Sequence, residues 1–204
     1  MDFESRLSPS FQKLSSLKRI LNSHGIVAYP TETVFGIGCD PFDDDALNKI
    51  FEIKGRDLNK GVLILINNKS HVHEYVKELP NYAKEMIEKY WPGSVTFLFR
   101  AKEGLSPLLV GEKRLIGLRI SNHPIASYLS SILQFGIVST SANKSGETAL
   151  MNAMDVKCEF GSLIDYIVEG NAGGKISSTV VDCSGEYPVL IRKGETSVPE
   201  TERN

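Results

Sequence analysis

Lys54-Gly55-Arg56, with Lys60 close behind, falls between a helix-like and a strand-like segment. An ammonium beside a planar fork of N–H donors suits a polyphosphate, and equally suits a solvated helix end, where cations complement the dipole. The run Ser139-Thr140-Ser141-Ala142-Asn143-Lys144-Ser145-Gly146 offers hydroxyls and an amide that could wrap phosphate and ribose oxygens, or form a serine-rich capping turn. In Tyr29-Pro30-Thr31-Glu32-Thr33-Val34-Phe35-Gly36-Ile37-Gly38 a proline stiffens a strand exit, hydroxyls follow, and two glycines allow close backbone approach. That loop suits a small polar ligand as readily as an ordinary connection. Arg119 sits within the apolar Gly117-Leu118-Arg119-Ile120, and an unpaired buried guanidinium is prohibitive. It therefore needs an anion, either a ligand carboxylate or phosphate or an internal Asp or Glu. Ser178-Thr179 precedes one late apolar run and Arg192 follows another.

Three further patterns fail on inspection. Gly170 to Lys175 resembles a phosphate-binding loop, but the leading glycine is one place late and Ile176 replaces the required hydroxyl residue. Ser141-Ala142-Asn143-Lys144 has the spacing of an acyl-enzyme serine and lysine, yet the glycine that follows discourages the helix that would align them. His71 and His73 have no third ligand near them in sequence and read as the start of a surface helix.

The elements that must position these clusters alternate. Ser8-Pro9-Ser10 opens a helical pattern at Leu14, Leu17, Ile20 and Leu21 that Gly25 is placed to end. The run 26–29 reads as a strand, and Asp43 can cap a helix bearing Ala46, Leu47, Ile50 and Phe51 that stops near Gly55. The spacing then predicts a strand at 62–66, a helix at 82–90, strands at 95–99 and 116–120, a helix at 124–133, and strands at 137–138, 166–168, 179–181 and 189–191. This is an α/β fold built as one domain over 10–194, with a sheet that is mixed rather than purely parallel, followed by a polar tail over 195–204 expected to fray. The polar clusters fall where strands end, which is where ligands bind such sheets.

Composition narrows the function. The 204 residues are 41% hydrophobic, enough for one sizeable core. A net charge of −2 and a pI near 6.1 argue against a broad basic surface for nucleic acid, so any RNA contact should be local or weak. The three cysteines, Cys39, Cys158 and Cys183, lack zinc or disulfide spacing and fit reduced thiols in the cytoplasm. No apolar stretch approaches the roughly 20 residues that span a bilayer.

Taken in order, YPTETVFGIGCDP, KGRDLNKGVLILI, WPGSVTF, IGLRISNHPIA, STSANKSG, SSTVVDCSG and VLIRKG resemble the YrdC-like family of threonylcarbamoyl-AMP synthases, from Ile26 to Gly194. The length fits the short, single-domain form. The resemblance implies a twisted mixed sheet flanked by helices around a concave, positively charged site. It implies a nucleotidyltransferase that joins L-threonine and bicarbonate to a carbamate, whose attack on the α-phosphorus of ATP expels pyrophosphate. The product would serve N6-threonylcarbamoyladenosine at position 37 of tRNAs reading ANN codons, through transient contact with a separate transferase complex. Magnesium would arrive with ATP, and no protein metal ligand is assigned.

On the matching positions, Lys54 and Arg56 are expected to hold the triphosphate and stabilise departing pyrophosphate, the catalytic role in a reaction driven by positioning and charge stabilisation. Ser141, Asn143 and Arg192 are expected to contact the nucleotide, and Arg119 to grip the threonine carboxylate with Thr33 and Ser178 beside it, Thr31 being the alternative to Thr33. Trp91-Pro92-Gly93 and Thr96 are expected to shape the wall. Asp57 stands where the family commonly has proline, and Leu115 where it often has a small hydroxyl residue. Two other readings remain: an RNA-binding module without turnover, and an enzyme of the same fold acting on another substrate.

Overall fold

Most of the apolar runs form strands, and the periodic segments between them form helices, in the computed structural model, which describes residues 16–199. Leu14 and the Ser8-Pro9-Ser10 opening lie outside the described residues. Helix α1 (Leu17–Leu21) leads to β1 (Val27–Tyr29) and β2 (Gly36–Gly38). Next come α2 (Asp44–Lys54), β3 (Leu63–Leu65), a 3-10 turn at Lys69–His71, α3 (Val72–Tyr75) and α4 (Asn81–Tyr90). The second half runs β4 (Val95–Arg100), α5 (Pro107–Val110), β5 (Leu115–Arg119), α6 (Pro124–Ile132) and β6 (Ile137–Ser141). It ends with α7 (Ala153–Phe160), β7 (Tyr166–Ile167), β8 (Thr179–Asp182) and β9 (Val189–Arg192).

Among the described residues these strands make one nine-stranded sheet in the order β7-β1-β2-β6-β3-β5-β4-β8-β9. It is mixed, as expected: β1–β7, β3–β5 and β4–β8 are parallel and the remaining pairs antiparallel. Side chains alternate between faces, so each strand serves two environments. Ala28, Ile64, Leu118 and Val138 join the larger core under α2, α4 and α7, whereas Val27, Tyr29, Leu65 and Ile137 join a smaller one with α1 and α6. The smaller core covers only part of its face, and the rest of that face lines a cavity.

Local chemistry sets the element ends. Asp43 accepts the Ala46 N–H at 3.0 Å and so caps α2, while Gly55 at φ 56° closes it in the left-handed region. The exit from α1 differs from expectation: Asn22 is the C-cap and His24, at φ 59°, takes the left-handed turn, while the Gly25 N–H bonds Ile20 O. Strand β2 was not expected, because a three-residue run with glycine at both ends has little strand signal. Its Gly38 is required by contact, since a Cβ there would lie 1.9 Å from Val138 O. Helix α7 was missed as well; only Val156 and Phe160 are buried on it, although Asn152 accepting the Asp155 N–H is a legible cap.

The hydroxyl run is also corrected: Ser139, Thr140 and Ser141 do not follow the strand but form its second half, paired to β2 and β3. Residues 195–199, expected to fray, are tied down. Thr196 bonds the Ser94 hydroxyl and accepts from the Thr179 hydroxyl at its carbonyl, and Val198 is buried in the larger core. Residues 200–204 lie outside the described residues. Cys39 and Cys183 are buried and Cys158 is exposed, all as free thiols. Among the described residues no helix is long and apolar enough to cross a membrane.

Candidate functional site

The uncovered part of the sheet face forms the floor of a cavity of about 680 Å³. Its floor residues follow the period of two on β5 (Leu115, Gly117, Arg119) and β4 (Thr96, Leu98), while β3 gives Leu63 and β6 gives the consecutive Ser139, Thr140 and Ser141. Its wall carries Arg56, Lys60, Lys113, Arg119 and Arg192 against Asp57 and Glu112, an excess of positive charge in a chain whose net charge is negative. Between Leu115 and Arg119 the strand rises by about 13 Å, which separates two ends of different chemistry.

At the end where β3 begins, Arg56 donates from Nε to Lys60 O at 3.0 Å and from Nη2 to Gly61 O at 2.8 Å. Its guanidinium is thus fixed against the loop with its remaining donors unassigned. Asp57 stabilises that loop by accepting the Asn59 N–H at 2.9 Å and partly offsets the burial that disfavours the Arg56 charge. Proline is therefore not needed for a tight turn here.

Lys54 is placed differently from expectation. It is 2% exposed and lies behind the cavity wall, where Nζ donates to Ser141 O, to Asn143 O at 2.7 Å and to Asn143 Oδ1 at 3.1 Å. Ser141 Oγ also donates to Asn143 Oδ1, at 2.6 Å. All three ammonium hydrogens are occupied by the turn after β6. Burial and the neighbouring Arg56 charge bring the Lys54 pKa down to about 8.

At the other end Arg119, 3% exposed, answers its sequence-level requirement internally. Its Nε stands 3.4 Å from Glu32 Oε1 and its Nη1 donates to Thr33 Oγ1 at 3.3 Å. Thr31 donates its only hydroxyl hydrogen to Val34 O at 2.7 Å, so in the 2.9 Å contact between Thr31 and Thr33 the donor must be Thr33. Thr33 is left with acceptor capacity alone, which suits an amine or hydroxyl hydrogen of a ligand. Ser178 Oγ meets Thr96 Oγ1 at 2.8 Å, and Arg192 donates to Ser178 O at 3.1 and 2.9 Å. Arg192, expected among the nucleotide contacts, therefore sits toward the Arg119 end, and the two guanidiniums repel. Trp91 is in the core, with Nε1 donating to Val95 O at 2.7 Å, and does not line the cavity, whereas Thr96 does.

Sequence reading missed Glu32 and the strap from Gly173 to Ser178. The Gly173 and Gly174 N–H groups donate to Thr31 O and Thr33 O at 2.8 and 3.0 Å, and a Cβ on Gly174 would lie 2.7 Å from Glu32 O. The segment first read as a failed phosphate loop thus clamps the threonine-bearing loop. Glu195 anchors the strap, accepting the Lys175 and Ile176 N–H groups at 3.3 Å each. His71 packs edge-on against Phe135 with ring centroids 5.7 Å apart. Among the described residues the one group with metal-ligand geometry is His24, Asp43 and Asp45, none of which lines the cavity.

Residues 19–194 match the Sua5/YciO/YrdC family, described as telomere recombination. The chain belongs to the Sua5/YciO/YrdC family. Within it, a protein of Nitrosococcus oceani named threonylcarbamoyl-AMP synthase is 37% identical over 178 residues, 87% of this chain and 91% of its own. One of the same name from Photobacterium profundum is 36% identical over 172 residues, 82% of this chain and 92% of its own. Among solved structures, P. abyssi Sua5 complexed with L-threonine superposes with a TM-score of 0.86 at 30% identity, over 90% of this chain and 54% of that one. The chain thus spans about half the length of that solved relative. E. coli YciO, at 24% identity and a TM-score of 0.81 over 92% of this chain and 91% of its own, shows the shared fold.

Proposed function

We propose that the chain is a threonylcarbamoyl-AMP synthase acting on L-threonine, bicarbonate and ATP. The observation that carries this reading is one cavity with a buried guanidinium, Arg119, set among Thr33 and Ser178 at one end and a fixed cationic loop at Arg56 at the other. The first end suits a small hydroxylated amino acid; the second suits a triphosphate. The relatives' names and the threonine complex of P. abyssi Sua5 support the same assignment.

In this reading the substrate carboxylate docks on the Arg119 donors that face the cavity, and Thr33 accepts from the substrate amine. Condensation of the amine with bicarbonate releases water and gives the carbamate. A carbamate oxygen then bonds the α-phosphorus as the bond to pyrophosphate breaks. Arg192, held on Ser178, is placed to meet the α-phosphate, and Arg56 with Lys60 stabilises the departing pyrophosphate. Lys54 acts through the turn it holds, presenting Ser141 to the nucleotide, while Asn143, which does not line the cavity and whose amide is engaged by Lys54, Ser141 and Glu147 O, braces that turn. Magnesium would arrive with ATP and would offset the charge of its phosphates, and Asp57 and Glu112, the carboxylates on the wall, are the residues that would hold it. The free thiols and the reaction's place in tRNA modification favour the cytoplasm, with the product taken by a separate transferase.

Binding measured one substrate at a time tests the division of the cavity. Arg119→Ala should weaken threonine binding at least about tenfold with nucleotide binding within about threefold, and Arg56→Ala the reverse. Equal losses of both ligands in either variant would sink the two-ended reading.

A further inference from the structure

Glu32 stands between the two hydroxyl residues of the Thr31-Glu32-Thr33 loop, yet its side chain does not line the cavity. It turns behind the site, where Oε2 accepts from the Ser121 hydroxyl, which in turn accepts the His123 N–H at 3.1 Å. Its other oxygen, Oε1, stands 3.4 Å from Arg119 Nε. Both atoms are buried and neither has a hydrogen-bond partner, so the pair acts through charge rather than through a directed bond. With side chains 3% and 13% exposed, little solvent or salt screens it.

The same end of the cavity holds a second guanidinium, Arg192. Two guanidiniums around one cleft form a site for a phosphate dianion. The proposed reaction brings ATP and pyrophosphate into this cavity with an amino acid that enters as a zwitterion. Without a counter-charge the phosphates would compete for the amino acid's place.

We propose that Glu32 is a positioning residue that sets specificity: its carboxylate neutralises Arg119 from behind, so that the place beside Arg119 accepts a zwitterion and the β- and γ-phosphates, pyrophosphate and free phosphate are left to the Arg56 end. The inference rests on the reading that Arg119 holds the threonine carboxylate. Glu32 touches no substrate in this arrangement and acts only through Arg119. Ser121 fixes its direction, and the clamp of Gly173 and Gly174 on the Thr31 and Thr33 carbonyls fixes its backbone.

Inorganic phosphate, titrated against enzyme carrying bound L-threonine and no nucleotide, tests the proposal. In Glu32→Gln, which keeps an acceptor for Ser121 but loses the charge, phosphate should displace threonine at a concentration at least about tenfold lower than in the wild type. Glu32→Asp, which restores the charge, should return to within about threefold of it. An unchanged displacement midpoint in a Glu32→Gln protein that still binds threonine overturns the proposal. The wild type supplies an arm independent of any folding defect: phosphate should displace nucleotide at a concentration at least about tenfold lower than threonine, and equal displacement also overturns it. Arg119→Lys separates the two levels. Unchanged threonine affinity in that variant removes the underlying assignment, whereas weakened threonine with unchanged phosphate competition in Glu32→Gln removes only the role of Glu32.

Discussion

All three hydrogens of the Lys54 ammonium are engaged by the Ser141–Asn143 turn, which makes its protonation state visible in catalysis. The folded pKa of about 8 lies below the ordinary 10.5, so between those values the unfolded chain binds more protons and this group stabilises the fold as pH rises. Activity should move the other way. A neutral amine has two hydrogens for three acceptors, so kcat/KM for ATP should fall above an apparent pKa of about 8 with no loss of thermal midpoint from this group. In Lys54→Met that alkaline limb should vanish from an activity already lowered; its persistence would assign the limb to another group. Thr33→Val, which removes the acceptor but keeps the shape, should raise KM for threonine about tenfold, equivalent to about 1.4 kcal/mol, and leave KM for ATP in place. The need of Arg119 for an anion was legible from its apolar neighbours. Its partner was not, because Glu32 is brought to it only by the sheet and the strap.

Elements with local signals were readable and those set by distant contacts were not. Asp43 and Gly55 announce the two ends of α2, and Asp43→Ala should cost about 1 kcal/mol, seen as a lower unfolding midpoint. Strand β2 and the second half of β6 have glycines and hydroxyls where strands favour branched and aromatic residues, and they hold extended geometry because β1, β2, β6 and β3 pair in succession. The Gly170 to Lys175 run was read only as a failed phosphate loop, and its use as a clamp depends on backbone approach that no local pattern encodes. Gly174→Ala should push the Thr31–Thr33 loop out of place and raise KM for threonine more than KM for ATP, because the added carbon would meet Glu32 O and Thr33 O at 2.7 and 2.8 Å. Equal changes in both constants would show that the strap supports the whole cavity rather than its amino-acid end.

Across the whole molecule, one sheet face is divided between a small core under α1 and α6 and a cavity with opposed chemical ends. The fold class was legible because alternating apolar runs leave few other solutions, while the division of that face depends on where two short helices stop covering it. The cavity's cationic excess is local, which agrees with a negative net charge and with recognition of anionic substrates rather than of a nucleic-acid surface. In the proposed function both ends of the cavity work on one reaction. Purified protein incubated with ATP, Mg²⁺, bicarbonate and one amino acid at a time, followed by mass spectrometry of the adenylates, tests it directly. Threonylcarbamoyl-AMP and pyrophosphate formed with threonine, and not with serine or valine, is the predicted result; bound ATP with no adenylate, or equal turnover of valine, would contradict it.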